Sequence, residues 1–184
     1  MATLSTTAWV LHDLGIAAGF GGNLFGQLAL NPAVKAVDSK RERGKVTHVA
    51  WDRYKAVNAA SLAAIAGTWL VGRMFLSGRE VGRASRGLTL FKDLLVGGAF
   101  AGGVGALVTG TLLDRAMQDG ESAIESGSEP AAETPPRVRR LQRTVNTLGV
   151  LNIALYAAVM ATTTILAMKS GRSTKWSLVS KLLP

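Results

Sequence analysis

The feature that most constrains this chain is a set of long segments that contain no charged side chain. The two longest are residues 94–113, which number 20, and residues 144–168, which number 25. A helix in water needs a polar face, whereas these segments have no charge on any face. Each is long enough, as a helix, to cross the roughly 30 Å of hydrocarbon in a bilayer. They predict two helices whose solvent is lipid.

Two shorter segments of 17 uncharged residues, 14–30 and 56–72, predict further crossings. The first ends at Asn31, which precedes Pro32, and a residue before proline is disfavoured in helical geometry. The second is lengthened by residues 74–76, since Arg73 can extend its charge towards the headgroups. The expected fold is therefore an all-α membrane protein with about four transmembrane helices in one bundle, at about 8–31, 56–76, 93–113 and 144–168.

Composition agrees with a lipid-embedded chain and excludes several kinds of chemistry. Hydrophobic residues make up 48% of the 184-residue chain, 21 residues are Gly, and only 18% are charged. The absence of Cys excludes disulfides, thiolate catalysis and Cys-based zinc or iron–sulfur sites. The sequence contains no phosphate loop, nucleophile elbow, HExxH motif or paired-acid motif. We therefore expect no enzymatic activity, no cofactor and no metal.

The basic residues lie mainly in the connections between the predicted helices. Residues 33–55 and 114–143 together carry 12 Lys and Arg, and the rest of the chain carries 9. By the positive-inside rule, this places both connections in the cytoplasm and both chain ends outside it. The net charge of +9 predicts contact with anionic lipid headgroups rather than nucleic acid, because no basic domain or aromatic platform is visible. We expect a multi-pass protein of a bacterial inner membrane.

Three segments outside the predicted crossings have distinct compositions. Residues 118–136 are rich in Glu, Ser and Pro, and they predict a flexible acidic loop because they can bury little apolar surface. Residues 33–55 mix apolar and basic side chains, which predicts a basic segment lying in the membrane interface. Residues 172–184 predict an amphipathic tail of the same kind, with Trp176, Val179 and Leu183 at positions i, i+3 and i+7.

The four tryptophans fall at or near the ends of the predicted helices. Amphipathic indole rings favour headgroup depth, where one edge is wet and the other is in hydrocarbon. The predicted interfacial anchors are Trp9, Trp51, Trp69 and Trp176.

A stripe of small residues follows one face of the first predicted helix and, 80 residues later, one face of the third. The stripe consists of Ala18, Gly22 and Gly26 in the first helix and of Gly98, Gly102, Ala106 and Gly110 in the third. Such a face lets helix backbones approach closely in lipid. The same shift aligns Asp13 with Asp93, so a duplicated helical hairpin and a chance similarity in a Gly-rich chain are both open. Duplication would pack the first and third helices together at the centre.

Four residues within or beside the predicted helices form a candidate polar site: Asp13, Asp93, Asn58 and Asn146. The two carboxylates are expected on the same side of the membrane. There they would bind a cation or relay protons, or would only complement the dipole at helix starts. The two asparagines are expected to hydrogen-bond between helices. His12 and His48 fall on opposite sides in this arrangement, which excludes a haem ligated by both.

Two functional hypotheses remain open. The first is a non-catalytic integral membrane subunit that packs through its Gly-rich helix faces against itself or against a larger membrane complex. It is based on four short helices, a strong small-residue pattern and no reactive motif. The second is a small four-helix transporter or channel for a cation or small solute that uses Asp13 and Asp93. It is based on the apparent repeat and on the equivalent positions of these two residues.

Overall fold

A computed structural model describes residues 2–76, 83–117 and 122–170, and within these ranges the regular structure is helical and contains no strand. This confirms the prediction of an all-α chain. The four long helices are α1 (Ala2–Phe25), α2 (Lys40–Val71), α3 (Arg83–Ala116) and α4 (Pro136–Ser170). A π-helical turn at Gly26–Leu30 and short turns at Asn31–Ala33 and Val34–Ala36 continue α1. A second π-helical turn, Gly72–Leu76, continues α2. The tail predicted at 172–184 lies outside the described residues.

The start of α2 follows from its sequence. Ser39 precedes the helix and its side chain accepts a hydrogen bond from the backbone N–H of Glu42, 3.3 Å away, as in the first half of a capping box. No proline interrupts the chain from there to Val71. Residues 40–55 are therefore the first half of α2, continuous with the predicted second crossing. This differs from the separate interfacial segment that the composition of residues 33–55 predicts.

The four helices form a ring in which α1 contacts α2 and α4, and α3 also contacts α2 and α4. The most extensive contacts are within the two consecutive pairs, α1 with α2 and α3 with α4. Within the described residues, α1 and α3 lie across the bundle from each other and make few contacts. The prediction that the first and third helices meet through their small faces is therefore wrong. The duplication itself stays a prediction.

A core cluster joins all four helices in the half of the bundle that contains Asp13 and Asp93. Its fully buried members are Ile16, Ile65, Val96, Ala99, Tyr156 and Val159. Phe20, Trp69, Leu95 and Leu155 pack around them. Interdigitated apolar side chains of this kind gain dispersion energy at close-packed density, so this cluster stabilises the packing of the four helices.

The surface of the bundle is strongly apolar, whereas several of its interior positions are polar. Leu94, Leu28 and Met74 are 76%, 73% and 72% exposed, while Asn152 and Asn31 are only 1% and 2% exposed. Soluble proteins rarely expose contiguous apolar surface of this kind. Two helices, within Arg86–Ala116 and Pro136–Met168, are long and apolar enough to cross a membrane. These ranges contain the two longest uncharged segments of the sequence.

The acidic connection between α3 and α4 is packed against the bundle where the structure describes it, at residues 122–135. Ile124 and Ala131 are buried at 1% and 2% exposure. The backbone N–H of Ile124 donates to the Lys40 carbonyl at 3.2 Å, and that of Gly127 donates to the Asn31 carbonyl at 3.1 Å. This differs from the flexible loop that the composition of residues 118–136 predicts.

Charge complementarity explains why this connection is ordered. Glu125 pairs with Lys40 and Arg43, and Glu129 pairs with Lys35 at 2.9 Å. The hydrogen bond from Lys35 lowers the pKa of the Glu129 carboxyl from its ordinary value. Exposed pairs of this kind contribute little individually, but here they act together with two backbone hydrogen bonds and a buried Ile. The basic residues between α1 and α2 thus hold the acidic connection in place.

Candidate functional site

A cavity of about 120 Å³, lined mainly by apolar surface but also by several polar side chains, lies between the four helices at the end of the bundle that contains Asp114. Its α3 wall is mostly small or apolar and includes Ala106, Leu107 and Gly110. Its other walls carry side-chain amides and one hydroxyl, from Asn23, Gln27, Asn31, Thr47, Asn58, Gln142 and Asn146. The cavity has room for about four water molecules, at roughly 30 Å³ each.

Four oxygen atoms of these side chains are buried without a hydrogen-bond partner among the described residues. They are Thr47 Oγ1, Asn58 Oδ1, Gln142 Oε1 and Asn146 Oδ1. A buried polar group that makes no hydrogen bond costs about 1–3 kcal/mol. These acceptors therefore favour contents that donate hydrogen bonds, such as water or a small polar solute. Asn58 and Asn146 therefore line one cavity, whereas Asp13 and Asp93 of the same candidate polar site do not line it.

A charged cluster borders the cavity. Asp114 on α3 accepts a hydrogen bond from Lys55 on α2, and its other carboxylate oxygen lies 3.0 Å from His48 Nδ1. Lys55 also pairs with Asp52 at 3.1 Å. This cluster links α2 to α3 at the polar end of the bundle. Sequence reasoning missed it, because its residues belong to two connections that only folding brings together.

Two aromatic residues of α2 form another wall of the cavity and pack on glycines of α1. A Cβ atom added at Gly22 would overlap the ring of Tyr54, and one added at Gly26 would overlap the ring of Trp51. The Tyr54 hydroxyl donates to the Ala18 carbonyl at 3.1 Å, and Trp51 Nε1 donates to Asn31 Oδ1 at 3.2 Å. Gly22 and Gly26 therefore pack against aromatic rings of α2 rather than against small residues of α3.

The small residues predicted on the third helix have several environments. Gly102 faces Asn152 of α4, whose Oδ1 would lie 2.5 Å from an added Cβ, and Gly98 faces Leu155 at 3.6 Å. Ala106 and Gly110 line the cavity. Gly98 and Gly102 therefore face α4, not α1.

Asp13 and Asp93 lie together at the opposite end of the bundle, about one helix length from Asp114. Asp93 accepts a hydrogen bond from Trp69 Nε1 at 2.8 Å and pairs with Arg73 at 2.8 Å. Asp13 is exposed. Neither lies in the first turn of its helix, because α1 begins at Ala2 and α3 begins at Arg83. The prediction that they complement the dipole at helix starts is therefore wrong.

The two histidines lie at opposite ends of the bundle. His12 is buried, and its Nδ1 lies 3.1 Å from Thr68 Oγ1, one residue from Trp69. His48 contacts Asp114 at the other end. Within residues 2–76, 83–117 and 122–170, no three acidic or His side chains cluster as a metal site requires. The sites at the two ends are thus separate in space and different in chemistry.

The tryptophans predicted as interfacial anchors have different environments. Trp9 is 44% exposed, and the Lys92 ammonium lies 4.9 Å from its ring centre. Trp69 packs against the core, with its indole nitrogen directed to Asp93. Trp51 borders the cavity. Trp176 lies outside the described residues. Trp9 therefore has the exposure expected of an anchor, whereas Trp51 and Trp69 also make contacts inside the protein.

Comparison with protein-family models, curated proteins and solved structures finds no match to this chain. Three features of the structure bear on its function: the apolar exterior, the cavity bordered by amides, and the separate charged clusters at the two ends.

Proposed function

We propose that this protein is a four-helix integral membrane protein that acts as a non-catalytic subunit. It would pack against itself or a larger membrane complex, in a membrane such as the bacterial inner membrane. The observation that carries this proposal is the apolar surface of the bundle, where large apolar side chains are exposed while amides are buried beside the apolar core. In lipid the exposed Leu, Val and Phe side chains cost nothing, whereas in water they would favour aggregation.

The proposal of four crossings adds α1 and α2 to the two helices that are apolar enough to cross a membrane. α1 and α2 pack beside α3 and α4 in one ring, so a membrane around α3 and α4 also surrounds α1 and α2. Outward-facing Leu14 and Phe25 on α1 are 61% and 63% exposed. The charged clusters lie at the two ends of the ring, at the depths where headgroups and water are available.

The outward face of α2 supports a role as a subunit. A stripe of small residues runs along this face over three turns, and all of its members are exposed: Ala56, Ala60, Ala63 and Gly67. An added Cβ at Gly67 would meet none of the described residues within 4 Å. Small side chains gain little from lipid contact but allow the backbone of a partner helix to approach closely. We therefore place the contact with a second copy or a larger partner on α2.

Reporter fusions test the four-crossing topology. We expect a fusion after Gly120 to report the cytoplasm and a C-terminal fusion to report the opposite side, because α4 would cross between them. The same location for both fusions would contradict four crossings. An external location for the fusion after Gly120 would reverse the orientation.

A small transporter or channel is the second candidate function, and the cavity between the four helices is the observation that favours it. Its unpartnered acceptors lie on α2 and α4, inside the region that would face a transported solute. Native mass spectrometry of gently solubilised protein separates the transporter from a subunit of a larger complex. A larger partner in fixed stoichiometry supports the subunit, whereas a homo-oligomer without other proteins agrees with the transporter and with a subunit that packs against itself.

Substitution of the two aspartates tests whether their charge is needed. We expect Asp13→Asn, Asp93→Asn and the double variant to fold and to complement deletion of the gene. Asn at position 93 still accepts the hydrogen bond from Trp69, and Asp13 is exposed. Melting temperature and abundance serve as controls for folding. Loss of complementation by stable double-variant protein would contradict the structural role and favour cation or proton coupling.

A further inference from the structure

Three arginines on the first two turns of α4 line a shallow, open surface cleft of about 460 Å³, all of whose lining residues belong to α4. They are Arg139, Arg140 and Arg143, and the cleft is completed by Pro136, Thr144, Thr147 and Leu148. Like charges this close repel one another unless anions or carboxylates neutralise them. If few protein groups neutralise these guanidinium groups, the cleft favours an anionic ligand.

Few protein groups neutralise this cluster. A terminal nitrogen of Arg139 donates to the carbonyls of Ala132 and Thr134, at 3.0 and 3.3 Å, which ties α4 to the acidic connection. Its Nε is buried and has no hydrogen-bond partner among the residues that the structure describes. Arg140 and Arg143 are exposed and form no ion pair with any carboxylate in the part of the chain that the structure describes.

The basic residues at the start of α2 differ in this respect. Lys40 and Arg43 pair with Glu125 of the acidic connection, and Lys35 pairs with Glu129. The carboxylates of Glu125 and Glu129 are therefore directed to α2 and to the turn before it, not to α4. The arginine cleft is left as a concentrated positive surface.

The cleft lies where headgroup and hydrocarbon would meet. Its basic part ends at Arg143, and the 25-residue uncharged segment 144–168 begins at the next residue. Leu148 forms the apolar end of the cleft, and Val150 and Leu151 beyond it are 53% and 48% exposed. A molecule bound here would meet guanidinium groups at one end and exposed apolar side chains at the other.

We propose that this cleft binds an anionic phospholipid, with its phosphate on Arg140 and Arg143 and its acyl chains along Leu148 and the outer face of α4. The planar guanidinium group presents paired donors that match phosphate oxygens, and basic pockets on the cytoplasmic side of membrane helices favour anionic headgroups. A free phosphate would use only the basic part of the cleft. This proposal rests on the membrane location proposed above.

Titration of detergent-purified protein with phosphatidylglycerol, phosphatidylcholine and inorganic phosphate, followed by native mass spectrometry, tests the site. We expect the wild type to retain phosphatidylglycerol in preference to phosphatidylcholine. Arg140→Gln/Arg143→Gln should weaken phosphatidylglycerol binding by about fivefold for each arginine lost, since a basic residue near an anionic leaflet contributes about 1 kcal/mol. Arg41→Gln/Arg53→Gln removes two exposed arginines from α2 at the same end and should change retention less.

Two results would overturn the proposal. One is equal phosphatidylglycerol retention by both double variants, and the other is displacement of the lipid by inorganic phosphate at equal concentration, which would define a phosphate site instead. Carbonate extraction of membranes separates this outcome from failure of the membrane proposal itself. Protein that resists extraction but shows no lipid preference contradicts only the lipid site, whereas extracted protein contradicts the membrane location on which it rests.

Discussion

Gly22→Leu is expected to lower the free energy of unfolding by roughly 1–3 kcal/mol, while Gly21→Leu leaves it nearly unchanged. A side chain at Gly22 would overlap the Tyr54 ring, which is held in place by hydrogen bonds to the carbonyls of Ala18 and Gly19. A Cβ at Gly21 would meet no atom of the described residues within 4 Å. Thermal melting in mild detergent measures the difference.

The matched pair isolates packing from helix propensity. Both substitutions replace glycine by leucine in α1, so the gain in intrinsic helix stability is shared. Gly102→Leu and Gly97→Leu repeat the comparison on α3, since Gly102 faces Asn152 and Gly97 faces open space. Gly22→Leu and Gly102→Leu should also destabilise the protein more than Leu107→Ala does, because the latter only enlarges the cavity that Leu107 lines. If the variants at Gly22 and Gly21 melt alike, α1 does not pack on α2 as described.

Val104→Arg is expected to abolish stable membrane insertion, whereas Val46→Arg has little effect. Both valines are exposed, at 38% and 44%, so neither substitution disturbs the interior. Val104 lies in the middle of the uncharged segment 94–113, and Arg at the centre of a membrane helix costs about 2.5–3.5 kcal/mol. Val46 lies in the first half of α2, where a basic residue is already common.

Fractionation and carbonate extraction of the two variants provide the measurement. Reduced membrane-bound protein for Val104→Arg, with normal levels for Val46→Arg, would agree with lipid around α3. Equal amounts and equal melting temperatures would mean that the exposed face of α3 contacts water or another protein. The comparison is independent of reporter topology, because neither substitution moves a chain end.

Some features could be predicted from the sequence because they depend on the solvent of a helix rather than on its neighbours. An uncharged run of 25 residues reports an apolar environment whichever helix lies beside it, so residues 144–168 were identifiable and lie within α4. The alternating direction of successive helices likewise placed Asp13 and Asp93 at one end, and His12 and His48 at opposite ends.

The composition of the acidic connection predicted flexibility because the segment itself offers little apolar surface to bury. Its order depends on Lys35, Lys40 and Arg43, which lie more than 80 residues earlier in the chain. The charges of both segments are plain in the sequence, but their pairing needs α1 and α2 to present the basic residues at the end where α3 stops. The opposite charges of these two connections were the sequence signal that could have predicted the contact between them.

By itself, the sequence determined the all-helical class, the positions of the long apolar helices and the end of the bundle at which each charge lies. Periodicity and the absence of charge predict the environment of each segment, so the helices packed beside it need not be known. Only the tertiary structure decided which surfaces meet. A small-residue stripe predicts a close helix contact, but it does not identify the partner. The structure shows that Gly22 packs against Tyr54 and Gly26 against Trp51. Likewise, isolated asparagines on α2 and α4 become one cavity only when the packing of four helices places them side by side.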